Sequence, residues 1–183
     1  GNVVILGGGT AGTGATKIAS ALGANVHVFD PNSEKRAYLE SMGQNISAAQ
    51  PLENTIEQAV KEADLLIGAV LIPGAKSPHL VSASQVKSMK PGSVIIDISV
   101  DQGGCIETTR PTNYEAPTFV WEGVIHFGVT NMPGAVPRSA TQALSAAIFP
   151  HVLQICEKDW HSNPALASGI NLENGEIILA TLR

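Results

Sequence analysis

Residues 3–12 read VVILGGGTAG, a run of apolar residues that passes directly into the glycine pattern G-x-G-x-x-G. The four apolar residues are typical of a buried strand, and apolar side chains recur at helical spacing after the last glycine. Gly9 permits a ligand to approach the backbone, and Gly12 permits the helix to pack closely against the strand. The run therefore predicts a strand, a tight turn and a helix whose N-terminus can hold an anion.

A second motif, VHVFD at residues 26–30, ends on a carboxylate 18 positions after Gly12. In dinucleotide-binding folds an acid at this spacing accepts hydrogen bonds from the adenine ribose, and its charge repels a 2′-phosphate. We therefore expect NAD as the cofactor. The other interpretation is that Asp30 caps the helix that begins near Ser33. Lys35, one turn into that helix, contacts either the adenosine edge or solvent. The expected pyrophosphate and ribose contacts are Gly7, Gly9, Thr10, Ala11, Gly12 and Asp30.

The rest of the chain alternates between short apolar runs and helical patterns. Because the runs are unbroken rather than alternating, they suit parallel strands covered on both faces. We predict an α/β fold, a Rossmann-type doubly wound, mostly parallel sheet with a C-terminal helical extension. The expected domains are 1–138 for dinucleotide binding and 139–183 for the helix and a return segment, with Pro150 kinking or splitting the helix. The predicted strands are 3–6, 26–29, 65–70, 94–98 and 124–129, and the predicted helices are 13–22, 34–42, 54–62 and 82–89.

Composition narrows the possible partners. The net charge of −5 disfavours a nucleic-acid surface. The two cysteines, Cys105 and Cys156, lie too far apart to suggest a zinc site, and no histidine has a partner at metal-binding spacing, so we expect no metal. No apolar run approaches the roughly 18 residues of a membrane span, and no basic leader opens the sequence, so we expect a cytoplasmic chain without a membrane partner.

Polar residues follow two of the later predicted strands. Asp97 lies within an apolar run, where an unpaired carboxylate is costly to bury. Asp101 lies at the mouth of the predicted crevice and contacts substrate, water or nicotinamide, unless it only caps the turn at Gly103 and Gly104. Asn131 precedes two prolines in a stiff loop and makes either a polar contact in the pocket or an ordinary turn.

Four segments resemble the signature segments of L-alanine dehydrogenases: LLIGAVLIPGAK at 65–76, MKPGSVIID at 89–97, DQGGC at 101–105 and NMPGAVP at 131–137. The likeness extends to Trp160 and to NPAL at 163–166. It implies that Asp101 is a catalytic acid/base or a group that positions water, and that Asp30 is the ribose ligand. The cofactor contacts that it adds on the nicotinamide side are Val70, Leu71, Ile98, Val129, Asn131 and Met132. Lys35, Ser99, Val100 and Asp101 complete the predicted cofactor contacts.

The resemblance also implies an activity, which is the reversible oxidative deamination of L-alanine to pyruvate and ammonia with NAD, carried out by a homo-oligomer. In such enzymes the Lys, His and Arg that act on the substrate precede the first Rossmann strand. We therefore expect this chain alone to bind NAD weakly and to turn over nothing. The alternative is the NAD(H)-binding component of a proton-translocating transhydrogenase, which has similar segments. The DQGGC and NMPGAVP runs favour the dehydrogenase.

Overall fold

In the computed structural model, which describes residues 1–179 and 182, the chain forms two units, Gly1–Asn131 and Met132–Arg183. The first contains a seven-stranded sheet. Its strands are β1 (Asn2–Leu6), β2 (Asn25–Phe29), β3 (Ile46–Ala49), β4 (Leu65–Gly68), β5 (Val94–Asp97), β6 (Thr118–Trp121) and β7 (Val124–Phe127). They lie in the order β3-β2-β1-β4-β5-β7-β6, and only the β6–β7 pair is antiparallel. This order confirms the predicted doubly wound, mostly parallel sheet.

Helices cover both faces of this sheet. They are α1 (Thr10–Ala21), α2 (Ser33–Glu40), α3 (Glu53–Glu62) and α4 (Ala83–Lys87). The apolar residues of α1 and α2 pack on one face, beside Ile5 and Val28, and those of α3 and α4 pack on the other, beside Leu6 and Leu66. Burial on both faces is the reason that the strand sequences are apolar without alternation.

The second unit contains one long helix, α5 (Pro137–Ile155), followed by α6 (Pro164–Ala167) and a short antiparallel pair, β8 (Leu172–Glu173) and β9 (Glu176–Ile177). Proline at the first position suits the start of α5, because its missing N–H is not needed there. The helix is not split at Pro150. The interval 139–183 that was expected as a C-terminal region lies within this unit, and its residues 180, 181 and 183 lie outside the described residues.

Two strands of the seven-stranded sheet were not predicted, nor was the short pair β8 and β9, and three predicted strands are too long. The two missed sheet strands, β3 and β6, lie at the edges of the sheet, where one side lacks a neighbour, and β3 carries only one large apolar residue. The apolar runs at 65–70, 94–98 and 124–129 continue past the last sheet residue of β4, β5 and β7. After β5 the chain turns directly into a 3-10 helix, Ile98–Gln102. The residues beyond the ends of β4 and β5 form walls of the site described next.

No helix within residues 1–179 has both the length and the apolar character needed to cross a membrane.

Candidate functional site

The site lies where the strand order reverses, at the carboxyl ends of β1 and β4. From β1 the chain crosses to β2 on one side, whereas from β4 it crosses to β5 on the other, so the two connections diverge and leave a crevice. Gly7 makes the turn out of β1 with a φ of 98°, and a Cβ there would lie 2.5 Å from the carbonyl oxygen of Ala69. Glycine is therefore required for the two strand ends to approach this closely.

Two adjoining hollows, of about 520 and 380 Å³, occupy this crevice. Their linings share five residues from the ends of β1 and β4: Gly9, Thr10, Ala69, Val70 and Leu71. The larger hollow extends to Asp30 and Lys35, and the smaller extends to Ile98, Ser99 and Asp101. We call the two together the crevice groove. Its two ends therefore carry carboxylates, with small and apolar residues between them.

The middle of the crevice groove contains the N-terminus of α1. Gly9 occupies the N-cap position, no side chain caps the helix, and its first turn has no acidic residue. The first N–H groups of the helix are therefore available to an anion, and the helix dipole favours negative charge there. Gly12 lies behind them, so close to the strand that a Cβ would fall 1.8 Å from the Gly7 carbonyl oxygen. The residues present therefore fit a pyrophosphate group.

Asp30, at the first end of the groove, is 5% exposed. Its Oδ2 accepts a hydrogen bond from the Gly8 N–H at 2.8 Å and lies 3.9 Å from Lys35 Nζ, and its Oδ1 accepts from the Asn32 N–H at 2.8 Å. The N-cap of α2 is Asn32, whose side chain accepts from the Lys35 N–H. Asp30 thus ties the glycine turn to the end of β2, and its carboxylate lines the hollow.

Asp101, at the other end, is exposed, and its carboxylate accepts a hydrogen bond from the Asn131 N–H at 3.1 and 3.2 Å. Asn131 adopts a φ of 50°, a left-handed conformation that asparagine tolerates better than most residues. The turn at Gly103 is closed by main-chain hydrogen bonds to Val100 and Ser99 rather than by this carboxylate. Asp101 therefore does not cap this turn, and it lines the smaller hollow.

Ser99 links the wall formed after β5 to the wall formed after β4. Its hydroxyl donates to the Val70 carbonyl at 2.8 Å and accepts from the Val70 N–H at 2.9 Å. Nearby, burial and the adjacent Asp97 carboxylate raise the pKa of the Cys105 thiol to about 12. Cys105 is therefore a neutral side chain that packs behind the wall and does not serve as a nucleophile.

The predicted residues do not all line the groove. Gly12 lies behind it, while Val100 and Val129 are buried at 4% and 1% exposure. Asn131 reaches the site through its N–H to Asp101, and Met132 begins the second unit as the first residue of a 3-10 helix. The predicted cofactor contacts did not name all of the lining residues. The segment that follows β4 was expected to line the cofactor, and it adds Ala69 and Ile72. The others lie at or beyond strand ends or in adjoining loops, which was their only signal: Phe29, Pro31, Asn32, Pro51, Pro78, Leu80 and Gln102.

Among the described residues, no group of three or more His, Cys, Asp and Glu side chains is arranged to hold a metal ion.

Residues 1–180 match the family model described as "Alanine dehydrogenase/PNT, C-terminal domain". The chain belongs to this family. It is 49% identical over 181 residues to a protein from Methanococcus maripaludis named alanine dehydrogenase, covering 96% of this chain and 48% of that protein. It is 48% identical over 184 residues to the alanine dehydrogenase of Geobacillus stearothermophilus, covering 97% of this chain and 49% of the relative.

Solved structures agree with the sequence relatives. One named L-alanine dehydrogenase superposes with a TM-score of 0.85 at 48% identity, covering all of this chain and 52% of that chain. A transhydrogenase from Sinorhizobium meliloti superposes with a TM-score of 0.70 at 30% identity, covering 77% of this chain and 40% of that chain. This member of the alanine dehydrogenase/PNT C-terminal domain family thus spans about half the length of the curated relatives that it matches.

Proposed function

We propose that this chain binds NAD in the crevice groove and serves the reversible oxidative deamination of L-alanine to pyruvate and ammonia. The observation that carries the cofactor assignment is the continuous groove that joins Asp30, the uncapped N-terminus of α1 and Asp101. The choice of alanine as substrate is supported by the relatives, which are named alanine dehydrogenase at up to 49% identity.

The three parts of the groove suit the three parts of a dinucleotide. The α1 N-terminus offers N–H groups to the pyrophosphate. Asp30, already held by Gly8 and Asn32, offers its carboxylate to the adenine ribose, and its charge disfavours a 2′-phosphate. Val70, Leu71 and Ile98 line the half of the groove next to Asp101, where their apolar side chains suit the faces of the nicotinamide ring.

When bound, NAD supplies the acceptor for the hydride that leaves Cα of alanine. The substrate amine also loses a proton, and water then adds to the resulting imine before ammonia and pyruvate are released. Asp101 is the carboxylate of this chain that the groove offers to these steps. It stabilises positive charge on the substrate nitrogen and orients the incoming water, while the Asn131 N–H holds it in place.

The cofactor half of the proposal is tested on this chain alone. NADH added to the purified protein should show increased and saturable fluorescence, and NADPH should bind more weakly because of Asp30. A groove that binds neither nucleotide would overturn the cofactor assignment.

The catalytic half is tested in a chimera, because the relatives are about twice as long as the matched region. The matching half of the Geobacillus stearothermophilus relative is replaced by this chain, and NADH oxidation is followed with ammonium and pyruvate together. We expect turnover that needs both compounds, and we expect Asp101→Asn to remove most of it while NADH binding is retained. Binding without turnover in a folded chimera would contradict the deamination proposal and favour the transhydrogenase component as the alternative.

A further inference from the structure

The Asp97 side chain, at the end of β5, is 1% exposed and lies directly behind the groove wall. Backbone N–H groups, one hydroxyl and one thiol surround its carboxylate. Oδ2 accepts from the Cys105 N–H at 2.9 Å, the Ile106 N–H at 3.2 Å and the Thr109 hydroxyl at 2.8 Å. Oδ1 accepts from the Ser99 N–H at 3.0 Å and from the Cys105 thiol at 3.6 Å. Oδ2 therefore holds the segment 105–109, and Oδ1 is the oxygen that holds the backbone at Ser99.

The surrounding backbone leaves no space for a larger neighbour. A Cβ at Gly68 would lie 2.7 Å from Oδ1, and a Cβ at Gly104 would lie 2.8 Å from Oδ2. Two glycines thus allow the chain to close around this carboxylate. A buried carboxylate with this many donors is fixed in position, because moving it would leave several buried polar groups without partners.

Oδ1 is the oxygen that contacts the segment lining the groove. The Asp97 side chain is the N-cap of the 3-10 helix Ile98–Gln102, through the Ser99 N–H. That short helix carries Ser99, which bridges to Val70, and Asp101, which contacts Asn131. Its orientation therefore decides where the Ser99 hydroxyl and the Asp101 carboxylate lie relative to the groove.

We propose that Asp97 is a positioning residue: its Oδ1 fixes the 3-10 helix so that Ser99 and Asp101 face the crevice groove. The role of the helix in binding rests on the proposed function, whereas the coupling between Asp97 and Asp101 concerns the fold alone. The buried Oδ2 holds the return segment 105–109 and has no direct contact with the groove residues.

Two substitutions distinguish the role of Oδ1 from that of Oδ2. In Asp97→Asn the amide oxygen can replace Oδ2 and keep its three donors, but the amide NH2 cannot accept from the Ser99 N–H. The matched control is Thr109→Val, which removes one donor from Oδ2 and leaves the Ser99 contact intact. In Asp97→Asn the Ser99 N–H and the Cys105 thiol both lose their acceptor at Oδ1, whereas Thr109→Val loses one bond at Oδ2. Some loss of stability is therefore common to both variants, and only Asp97→Asn disturbs the Oδ1 side.

The first measurement is the amide chemical shift of Asn131 by NMR, since this N–H donates to Asp101. Asp101→Ala gives the shift that corresponds to a broken contact. We expect Asp97→Asn to move the Asn131 signal most of the way to that value and Thr109→Val to leave it unmoved. An unmoved signal in Asp97→Asn, or equal movement in both variants, would overturn the proposal.

The second measurement is NADH affinity by fluorescence titration. We expect about a tenfold loss in Asp97→Asn, the size of about one hydrogen bond, because Ile98 and Ser99 line the groove from the helix that is displaced. We expect less than about a twofold change in Thr109→Val. A moved Asn131 signal with no NADH binding in the unsubstituted chain would refute the proposed function and leave the coupling standing.

A third measurement needs no variant and covers the case in which Asp97→Asn does not fold. In the unsubstituted chain the Ser99 N–H should exchange with solvent deuterium much more slowly than an exposed amide. Exchange at the rate of an exposed amide would show that Oδ1 does not hold the helix and would overturn the proposal.

Discussion

Gly12→Ala offers the most direct test of how the glycine turn serves the groove. The added Cβ would lie 1.8 Å from the Gly7 carbonyl oxygen, whereas Cβ contacts below 3.0 Å are essentially never seen. The contacted atom is backbone, so no side chain can rotate away. The start of α1 must therefore move from the end of β1 by at least 3.0 − 1.8 = 1.2 Å.

This movement has a calculable cost. Forcing an extra carbon into a close-packed contact destabilises a fold by roughly 1–3 kcal/mol, and for a chain of this length that corresponds to a fall of about 5 °C in the unfolding midpoint. Hydrogen bonds tolerate only about 0.5 Å of variation in length, so at least one N–H bond from the α1 N-terminus to a pyrophosphate is broken. A charge-assisted bond contributes roughly 1.5–3 kcal/mol, which predicts NADH affinity that is weaker by roughly tenfold to a hundredfold.

The assay compares three glycines close together in sequence, using thermal unfolding and NADH fluorescence titration. A Cβ at Gly9 meets nothing within 4 Å and its φ is −70°, so Gly9→Ala should leave the midpoint unchanged but weaken NADH binding by occupying the groove. A Cβ at exposed Gly14 also meets nothing, so Gly14→Ala should raise stability by up to about 1 kcal/mol through helix propensity and leave binding unchanged. Gly12→Ala should lower both quantities.

The reasoning is refuted if Gly12→Ala binds NADH as tightly as the unsubstituted chain with the same unfolding midpoint. It is also refuted if Gly14→Ala weakens binding as much as Gly9→Ala, because the loss would then not depend on where the added carbon lies.

Three further predictions concern His126, the two cysteines and Asp30. Burial lowers the pKa of His126 below its ordinary value of 6.5. The contribution of the neutral His126 to the free energy of unfolding should therefore have its full size above pH 6.5 and should fall as the pH drops through the lowered pKa. Urea titrations should show a steeper acid loss in the unsubstituted chain than in His126→Gln, and parallel curves would contradict this assignment. Cys105 is buried with a pKa of about 12 whereas Cys156 is exposed, so a colorimetric thiol reagent should titrate one fast thiol in the native chain and two after unfolding; two fast thiols in the native chain would show that the wall behind the groove is open. Asp30→Ala should weaken NADH binding and narrow the difference from NADPH, because the charge that repels a 2′-phosphate is gone while Lys35 remains; an unaltered ratio of the two affinities would remove Asp30 from cofactor selection.

Sequence alone predicted much of the sheet and one end of the groove. The signals were local: a strand, a glycine turn and a helix within the first 22 residues, and an acid at the end of the next strand. Each depends on neighbours in the chain, which is the kind of pattern that periodicity and turn chemistry report. The edge strands β3 and β6 were missed because their stability comes mainly from pairing with a partner strand, which the local pattern does not show.

Only the tertiary structure showed which groups surround the two acidic residues near the end of β5, Asp97 and Asp101. From sequence, Asp97 was a costly carboxylate in an apolar run, and Asp101 was either a site residue or a turn cap. The fold brings Ser99, Cys105, Ile106 and Thr109 around Asp97, and it directs the Asn131 N–H at Asp101 from 30 positions away.

The physical reason for this division is the range of the interactions involved. Turns, caps and apolar periodicity depend on residues a few positions apart in the chain. The glycine run and its neighbours therefore suffice to predict the strand, turn and helix at residues 3–22. Whether a buried carboxylate is satisfied, and which way an exposed one points, depends on donors that arrive only when distant segments pack together. The sequence therefore determined the end of the groove that contains the glycine turn and Asp30. The tertiary structure decided that Asp97 is buried behind the other end and that Asp101 is exposed within it.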